Sequence, residues 1–339
     1  MKHANNINLL RLLAALQVVA SHSIKHLDLL EASSIVAIAI RMFPGVPIFF
    51  LLSGYLVYKS WTSEPDLIAY IKKRAYRIFP GVWASFLFSL ILLAALSQLD
   101  GGLVHTSLWV LAQVTFLQFY NPFFLRDFGV GVVNGALWTI PIELQFYAIL
   151  PAIHYLLKIK HFVVGIFVMS IFVNVLYLYF FAPTTIYKLI GITIFPYFIF
   201  FLIGIYFAKQ SKLLEIAHNY NPFVFLIIYI ASYWIAANYF GYQQSGRLLN
   251  PITVLPLAFF IFSVSFYKKL NTVWVDNNDI SFGVYLYHMI FINLAIYLSL
   301  TGYSALSFST ILTLIAAYIS WIFVEKPSLR HVRNQLQKS

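Results

Sequence analysis

The chain has 339 residues, of which 61% are hydrophobic and only 10% are charged, and its mean hydropathy is +0.82. A soluble domain carries roughly 25% charged residues, so this composition excludes an ordinary soluble protein. The absence of cysteine excludes thiol nucleophiles, disulfides and thiolate metal sites. The excess of 22 Lys and Arg over 11 Asp and Glu is explained better by positively charged cytoplasmic loops than by nucleic-acid binding.

Apolar runs of about 20 residues recur from end to end and predict an all-α, polytopic membrane protein. We predict ten transmembrane helices, at about residues 7–25, 35–58, 81–99, 137–157, 162–182, 187–207, 221–240, 251–267, 279–299 and 304–324. A shorter apolar stretch, 107–120, is predicted to be re-entrant or surface-lying, because ten spans then sort the basic residues cleanly.

In this arrangement sixteen of the 22 basic residues share one side of the membrane. They are Lys2, the five in the segment 59–77, Lys158, Lys160, Lys209, Lys212, Lys268, Lys269 and those of the tail from Lys326. The opposite loops keep only Lys25, Arg126 and Arg247. Both termini are therefore predicted to be cytoplasmic. Residues 1–339 are expected to form a single membrane-embedded domain with a short basic tail from about residue 325.

The first predicted span contains Arg11 and His22, eleven residues apart. Eleven helical steps return to within about 20° of the same face, roughly 16 Å along the axis. Placing a guanidinium and an imidazole in hydrocarbon is costly, so an aligned pair indicates a functional site. The alternative is that the two side chains reach the headgroups at opposite membrane faces.

The second predicted span is interrupted by Pro44 and Pro47, shortly before Ser53. A broken helix at membrane depth is tolerated where it is buried in protein or lines a cavity. A simple proline kink is the alternative.

A basic connection, 59–80, precedes the third span, and Pro80 is predicted to be the first residue of that span. Arg74 and Arg77, three residues apart, share a helix face beside Lys73. Forked guanidiniums bind phosphate oxygens bidentately, which favours a phosphate-rich ligand. A basic cluster that contacts anionic lipid explains the same composition.

Glu143 lies in the fourth span between Trp138 and Tyr147, at a predicted depth similar to that of His22. A carboxylate that holds an imidazole orients it as a general base and stabilises its charged form. We therefore expect Glu143 to be the partner of His22. The alternative for Glu143 is a structural hydrogen bond to another helix.

The ninth span carries a polar stripe of Ser281, Tyr285 and His288 at helical spacing, after Asn278 and Asp279 as helix caps. A histidine that bridges two membrane helices explains this stripe as well as a catalytic one does.

Together these segments resemble the integral-membrane acyltransferase-3 family, whose members mainly O-acetylate bacterial cell-surface glycans. The resemblance spans nearly the whole chain. It rests on Arg11 with His22, the segment 45–55, Arg74 with Arg77 and Pro80, the segment 137–147, Ser281 with Phe282, Tyr285 and His288, and the segment 324–327. It implies a ten-span O-acetyltransferase of the bacterial cytoplasmic (inner) membrane that takes acetyl-CoA from the cytoplasm. The acceptor would be a hydroxyl of O-antigen, lipopolysaccharide, exopolysaccharide or a related lipid-linked saccharide.

The family's proposed roles map onto His22 as general base and onto Arg74 and Arg77 as donor-binding residues. We further expect Arg11 and Lys73 to assist donor binding, Glu143 to hold His22, and no metal to take part. Contacts with substrate are expected from Trp138, Tyr147, Ser53 and His288. Direct transfer and a transient acetyl-His22 both fit these residues.

A proton-coupled transporter or flippase of a glycan precursor is the main alternative, because relays of His and Glu and broken helices also characterise transporters. A non-enzymatic membrane scaffold gives no reason for Arg11, His22 and Glu143.

Overall fold

The structure is a computed structural model that describes residues 6–31, 33–179, 184–240, 250–267 and 273–337. Every regular element in these ranges is helical. The α-helices are, in chain order, α1 Ile7–His26, α2 Ile35–Met42, α3 Gly45–Ser63, α4 Leu67–Ala95, α5 Gly102–Val114, α6 Thr139–Leu156, α7 Lys160–Tyr179, α8 Thr185–Ile190, α9 Phe198–Lys209, α10 Ser211–Asn219, α11 Pro222–Tyr239, α12 Pro251–Phe266, α13 Val273–Asn277, α14 Ser281–Tyr297, α15 Gly302–Ser320 and α16 Lys326–Leu336. A π-helical turn, Trp321–Glu325, joins α15 to α16.

Six helical segments of the described residues are long and apolar enough to cross a membrane: Ile7–His26, Ile35–Ser63, Leu67–Ala95, Lys160–Tyr179, Pro222–Tyr239 and Gly302–Leu336. The bent pair Phe195–Lys209 and Ser211–Asn219, with an angle of 89°, makes a seventh if it is counted as one span. Three apolar helices, α5, α12 and α14, are shorter. The protein is therefore polytopic and helical, while the count of ten spans and the side of the termini stay predictions.

Part of the charge argument for those predictions falls on Lys2, Arg247, Lys268, Lys269 and Lys338, which lie outside the described residues.

The chain divides into two compact units. The first comprises Met1–Ala14, Arg41–Asp66 and Ile142–Asn277, and the second comprises Ala15–Ile40, Leu67–Pro141 and Asn278–Ser339. The expectation of a single domain is not tested by this division and stays a prediction.

Close contact between α3 and α9 forms the core of the first unit. A Cβ atom on Gly54 would lie 2.2 Å from the carbonyl oxygen of Phe201, and one on Gly204 would lie 2.1 Å from that of Leu51. Small residues at such a crossing allow two helix backbones to touch, which is how membrane helices gain packing energy. The ring of Phe146 on α6 stacks on Phe201 at 4.5 Å between centroids and so positions α6 against α9.

The second unit is organised around α14, most of whose side chains are buried. Asn293 near its end accepts a hydrogen bond from the Val130 backbone at 2.8 Å and donates to the carbonyls of Val132 and Val133. The Asn134 side chain donates in turn to the carbonyl of Leu286 at 2.7 Å. These bonds attach the irregular segment before α6 to α14, which places the start of α6 beside the candidate site.

The predicted break in the second span is confirmed, because α2 ends at Met42, Pro44 is extended and α3 begins at Gly45. The predicted sixth span, 187–207, is not one continuous helix. It is divided into α8 and α9 around a 3₁₀ turn that contains Pro196. In the segment between α8 and α9, Gln145 Nε2 donates a hydrogen bond to the carbonyl of Ile192, and Gln145 Oε1 accepts one from the amide of Ile194.

The prediction that Pro80 begins the third span is wrong, since α4 starts at Leu67 and Pro80 lies inside it. A proline in a helix has no N–H to offer the carbonyl four residues earlier, here that of Tyr76. The Ser328 hydroxyl of α16 donates to that carbonyl at 2.9 Å and replaces the missing bond. A 29-residue helix is about 44 Å long, so α4 extends well beyond the roughly 30 Å hydrocarbon core and carries the basic cluster on its first turns.

Candidate functional site

The first histidine of interest, His22, lies near the end of α1 and is hydrogen-bonded to His288 of α14. Its Nδ1 atom is 2.8 Å from His288 Nε2. The ring planes are inclined by only 15° and their centroids are 5.1 Å apart. A ring nitrogen lies about 1.1 Å from its centroid, given C–N bonds near 1.33 Å, so two such radii plus the N···N distance nearly equal the centroid separation. The two imidazoles therefore meet edge to edge, almost in one plane, with the hydrogen bond along the line that joins them.

His288 is held from its other side by its own helix. Its Nδ1 atom is 2.8 Å from the carbonyl oxygen of Tyr285, and the side chain is 0% exposed. The Tyr285 hydroxyl is 2.7 Å from Thr139 Oγ1 and donates to the carbonyl of Ala136 at 2.8 Å. The polar stripe predicted on α14 therefore lies on the buried side of this histidine pair. Because His22 belongs to α1 and His288 to α14, the alternative of a histidine that bridges two helices is present.

The basic cluster of α4 is partly buried in the same unit. Arg77 Nη2 is 2.8 Å from Asp279 Oδ2, and the two side chains are 17% and 12% exposed. The second carboxylate oxygen of Asp279 accepts a hydrogen bond from Ser281 at 2.6 Å. The Arg77 guanidinium also lies over the Phe282 ring, 5.7 Å from its centroid. Arg77 is therefore held in one orientation at the start of α14.

The neighbouring cations of this cluster differ in exposure. The Arg74 guanidinium lies 5.9 Å from the ring centroid of Tyr70, and both Arg74 and Lys73 are half-buried, whereas Lys72 is exposed. Half-buried cations on consecutive turns form an anion site more readily than fully solvated ones, since water competes less for their N–H groups.

The acidic candidate, Glu143, belongs to the first unit. Its Oε1 atom accepts hydrogen bonds from the Tyr147 hydroxyl, one turn later on α6, and from Ser53 of α3 at 3.4 Å. Ser53 and Tyr147, which were both predicted from the sequence to be site residues, thus contact the carboxylate of Glu143. Arg11 is half-buried on α1 in the same unit. Because His22 belongs to the second unit, the pairing of Glu143 with His22 stays a prediction.

Two partners were missed by sequence reasoning. Asp279 was interpreted only as a helix cap, although it holds Arg77, and Thr139 was not selected, although it contacts Tyr285. The residue before it, Trp138, is half-buried at the junction that leads into α6. Within the described ranges, no group of three or more His, Asp or Glu residues is arranged to hold a metal ion.

The chain is similar to known acyltransferases. A family profile described as an acyltransferase domain matches residues 4–325. The chain is 26% identical to nodulation protein 10 of Rhizobium leguminosarum bv. viciae, over 97% of this chain and 94% of that protein. It is 24% identical to the O-acetyl transferase of Shigella phage Sf6, over 96% of each chain.

A putative acetyltransferase of Acidianus two-tailed virus is 25% identical, over 73% of this chain and 72% of that protein. No solved structure matches the chain. Since the family profile covers nearly the whole sequence, the enzymatic interpretation is preferred to the transporter and the scaffold. The protein is a membrane enzyme that belongs to the acyltransferase-3 family.

Proposed function

We propose that this enzyme moves an acetyl group from cytoplasmic acetyl-CoA to a hydroxyl group of a cell-surface glycan. The acceptor class is O-antigen, exopolysaccharide or a related lipid-linked saccharide, and the enzyme acts in the bacterial cytoplasmic membrane. The observation that carries the proposal is the composition of the second unit, which holds an imidazole pair and a group of half-buried guanidiniums. The imidazole pair supplies the general base, and the guanidiniums bind the anionic part of the donor.

The chemistry assigned to His22 is general-base catalysis. His22 takes the proton of the acceptor hydroxyl while the hydroxyl oxygen attacks the thioester carbonyl of acetyl-CoA. The new C–O bond forms, the C–S bond breaks, and the departing sulfur receives the proton from His22, so that CoA leaves as a thiol. Assistance of this kind contributes about 10²- to 10⁴-fold in rate. The same residue also serves a two-step route through acetyl-His22, with the acetyl group passing to the hydroxyl in the second step.

Donor binding is assigned to the basic cluster at the start of α4. Arg74 and Arg77 bind the CoA phosphates, with Lys73 beside them, and Arg11 lies along the path of the pantetheine arm. The Asp279 carboxylate accepts from one nitrogen of Arg77 and sets the plane of its fork. A planar fork in a set orientation suits bidentate contact with phosphate oxygens.

The remaining site residues are assigned to the acceptor side. Glu143 is the second catalytic residue, the carboxylate partner that stabilises the charged form of His22, and Tyr147 and Ser53 hold its carboxylate. Trp138 offers an indole surface to a sugar ring. We further propose that the chain crosses the membrane ten times, that both termini are cytoplasmic, and that the stretch 107–120 does not cross the membrane.

The test is acetylation of surface glycans in a deletion strain complemented with variants. His22→Ala and Glu143→Gln should each abolish acetylation, as measured by mass spectrometry of the glycans, without lowering the amount of protein in the membrane. Residues that act as one catalytic unit are non-additive, so the double variant should be little worse than either single variant. His161→Ala, which removes an exposed histidine of α7, is the matched control and should acetylate normally. Full acetylation by His22→Ala would overturn the proposal.

A further inference from the structure

His288 was expected to contact substrate, but its hydrogen bonds assign it another task. We propose that His288 is a positioning residue that holds His22 in the tautomer with the proton on Nδ1 and the lone pair on Nε2. This proposal rests on the proposed role of His22 as the general base. It replaces the expectation that His288 itself binds substrate.

His288 carries its proton on Nδ1. Its Nδ1 atom lies 2.8 Å from the carbonyl oxygen of Tyr285. A carbonyl oxygen only accepts hydrogen bonds, so Nδ1 must carry a proton and donate it. The contact lies within one turn of α14, most of whose side chains are buried. The protonation of Nδ1 is therefore imposed by the helix backbone.

The other nitrogen of His288, Nε2, is a hydrogen-bond acceptor. The side chain is 0% exposed, and a fully buried imidazolium costs much more free energy than a neutral imidazole. A neutral imidazole with its proton on Nδ1 has an unprotonated Nε2, which accepts hydrogen bonds. The nitrogen 2.8 Å away, His22 Nδ1, must then be the donor. His22 consequently carries its proton on Nδ1.

The edge-to-edge geometry supports this assignment. An N–H bond and a nitrogen lone pair of imidazole both point outward in the ring plane, away from the centroid. Planes inclined by 15° and centroids 5.1 Å apart align the donor N–H with the acceptor lone pair. Face-to-face stacking of the rings would not bring these two orbitals into line. The contact is a directed hydrogen bond, which selects one tautomer.

The consequence for catalysis lies at the opposite side of the His22 ring. With the proton on Nδ1, the basic lone pair belongs to Nε2. When Nε2 takes a proton from the acceptor hydroxyl, His22 becomes a cation, and its bond from Nδ1–H to His288 becomes charge-assisted and stronger. The orienting carboxylate of a catalytic triad has this task, and the wrong tautomer there costs about 10⁴ in kcat. His288 is a neutral acceptor and stabilises the His22 cation less than a carboxylate does, so we expect the loss of this bond to lower the maximal rate about 100-fold.

The matched pair of variants is His288→Gln and His288→Asn. The amide oxygen of Gln takes the place of Nε2 and can accept from His22, whereas the shorter Asn places its amide only where Nδ1 was. The assay uses inside-out membrane vesicles with their own glycan acceptor and radiolabelled acetyl-CoA, with rates normalised to enzyme amount. His288→Gln should keep the maximal rate within about tenfold. His288→Asn should lose about 100-fold, and the KM for acetyl-CoA should stay within about twofold in both.

Equal maximal rates in the two variants, whether both high or both low at unchanged KM, would overturn the proposal. A second measurement needs no variant of His288. Nitrogen-15 NMR of wild-type protein labelled at histidine should show His22 protonated on Nδ1, the signal being identified by its loss in His22→Ala. A proton on Nε2 of His22 would refute the proposal. Wild-type vesicles without acetyl transfer would refute the proposed function instead, and the NMR result would then still report on the tautomer.

Discussion

Replacing Arg74 or Arg77 by lysine tests whether these residues bind the donor phosphates or only contact anionic lipid. Lysine keeps the positive charge, so attraction to anionic headgroups survives, but it loses the planar fork that makes two bonds to one phosphate. We expect Arg74→Lys and Arg77→Lys to raise the KM for acetyl-CoA while leaving membrane insertion unchanged.

The expected rise in the KM for acetyl-CoA follows from the environment of Arg77. A hydrogen bond to a charged group contributes about 1.5 to 3 kcal/mol, and the Arg77 and Asp279 side chains are mostly, though not completely, removed from water. Partial exposure favours the lower end of that range. About 1.4 kcal/mol corresponds to tenfold, so the KM should rise about tenfold in each lysine variant.

The assay measures acetyl transfer in inside-out vesicles with two donors, acetyl-CoA and S-acetylpantetheine, the second of which has no phosphate. The chain contains no cysteine, so with purified protein the released CoA thiol can also be followed with a thiol reagent. Lys72→Gln removes an exposed charge of the same cluster and should change the KM by less than about twofold. Unchanged KM in both lysine variants, or an equal loss with S-acetylpantetheine, would refute phosphate binding.

Three further predictions concern the topology, the Glu143 carboxylate and the helix α4, which contains Pro80. A cysteine introduced at position 160 should be labelled from the cytoplasmic side, and strong labelling from outside would contradict cytoplasmic termini. Tyr147→Phe should lower glycan acetylation about tenfold and Ser53→Ala less than about threefold, because the Ser53 bond is 3.4 Å long; the reverse order would contradict the assigned contacts. Ser328→Ala should lower the free energy of unfolding in detergent by about 1 kcal/mol. In a Pro80→Ala background, which restores an N–H to the helix, the same change should have almost no effect.

Features that depend on local signals were predicted well from the sequence. The first helix and the break at Pro44 follow from apolar length and from proline chemistry, both of which act within a few residues. The choice of His22 depended on a polar side chain in an apolar run, and the choice of Arg77 on its spacing from Arg74 in a basic segment, and both signals are local.

The partners of His22 and Arg77 could not be predicted from the sequence, for a physical reason. Arg77 and Asp279 are 202 positions apart, and His22 and His288 are 266 apart. Helical periodicity carries no information on such distant pairing. The same holds for α4, which continues through Pro80 because a serine 252 positions beyond Tyr76 supplies the missing donor. Local rules therefore placed the start of the helix at a proline that lies inside it in the structure.

The helix α14 also sets a minimum length for the acyl donor. Ser281, which holds the Asp279 carboxylate beside Arg77, and His288, which holds His22, are seven residues apart on α14. Seven residues span about 10 Å of helix and return to nearly the same face. On the proposed roles, a donor must keep its phosphate and its acyl carbon about that far apart. Acetyl phosphate, in which one oxygen atom separates the two groups, is too short to occupy both ends and should not replace acetyl-CoA.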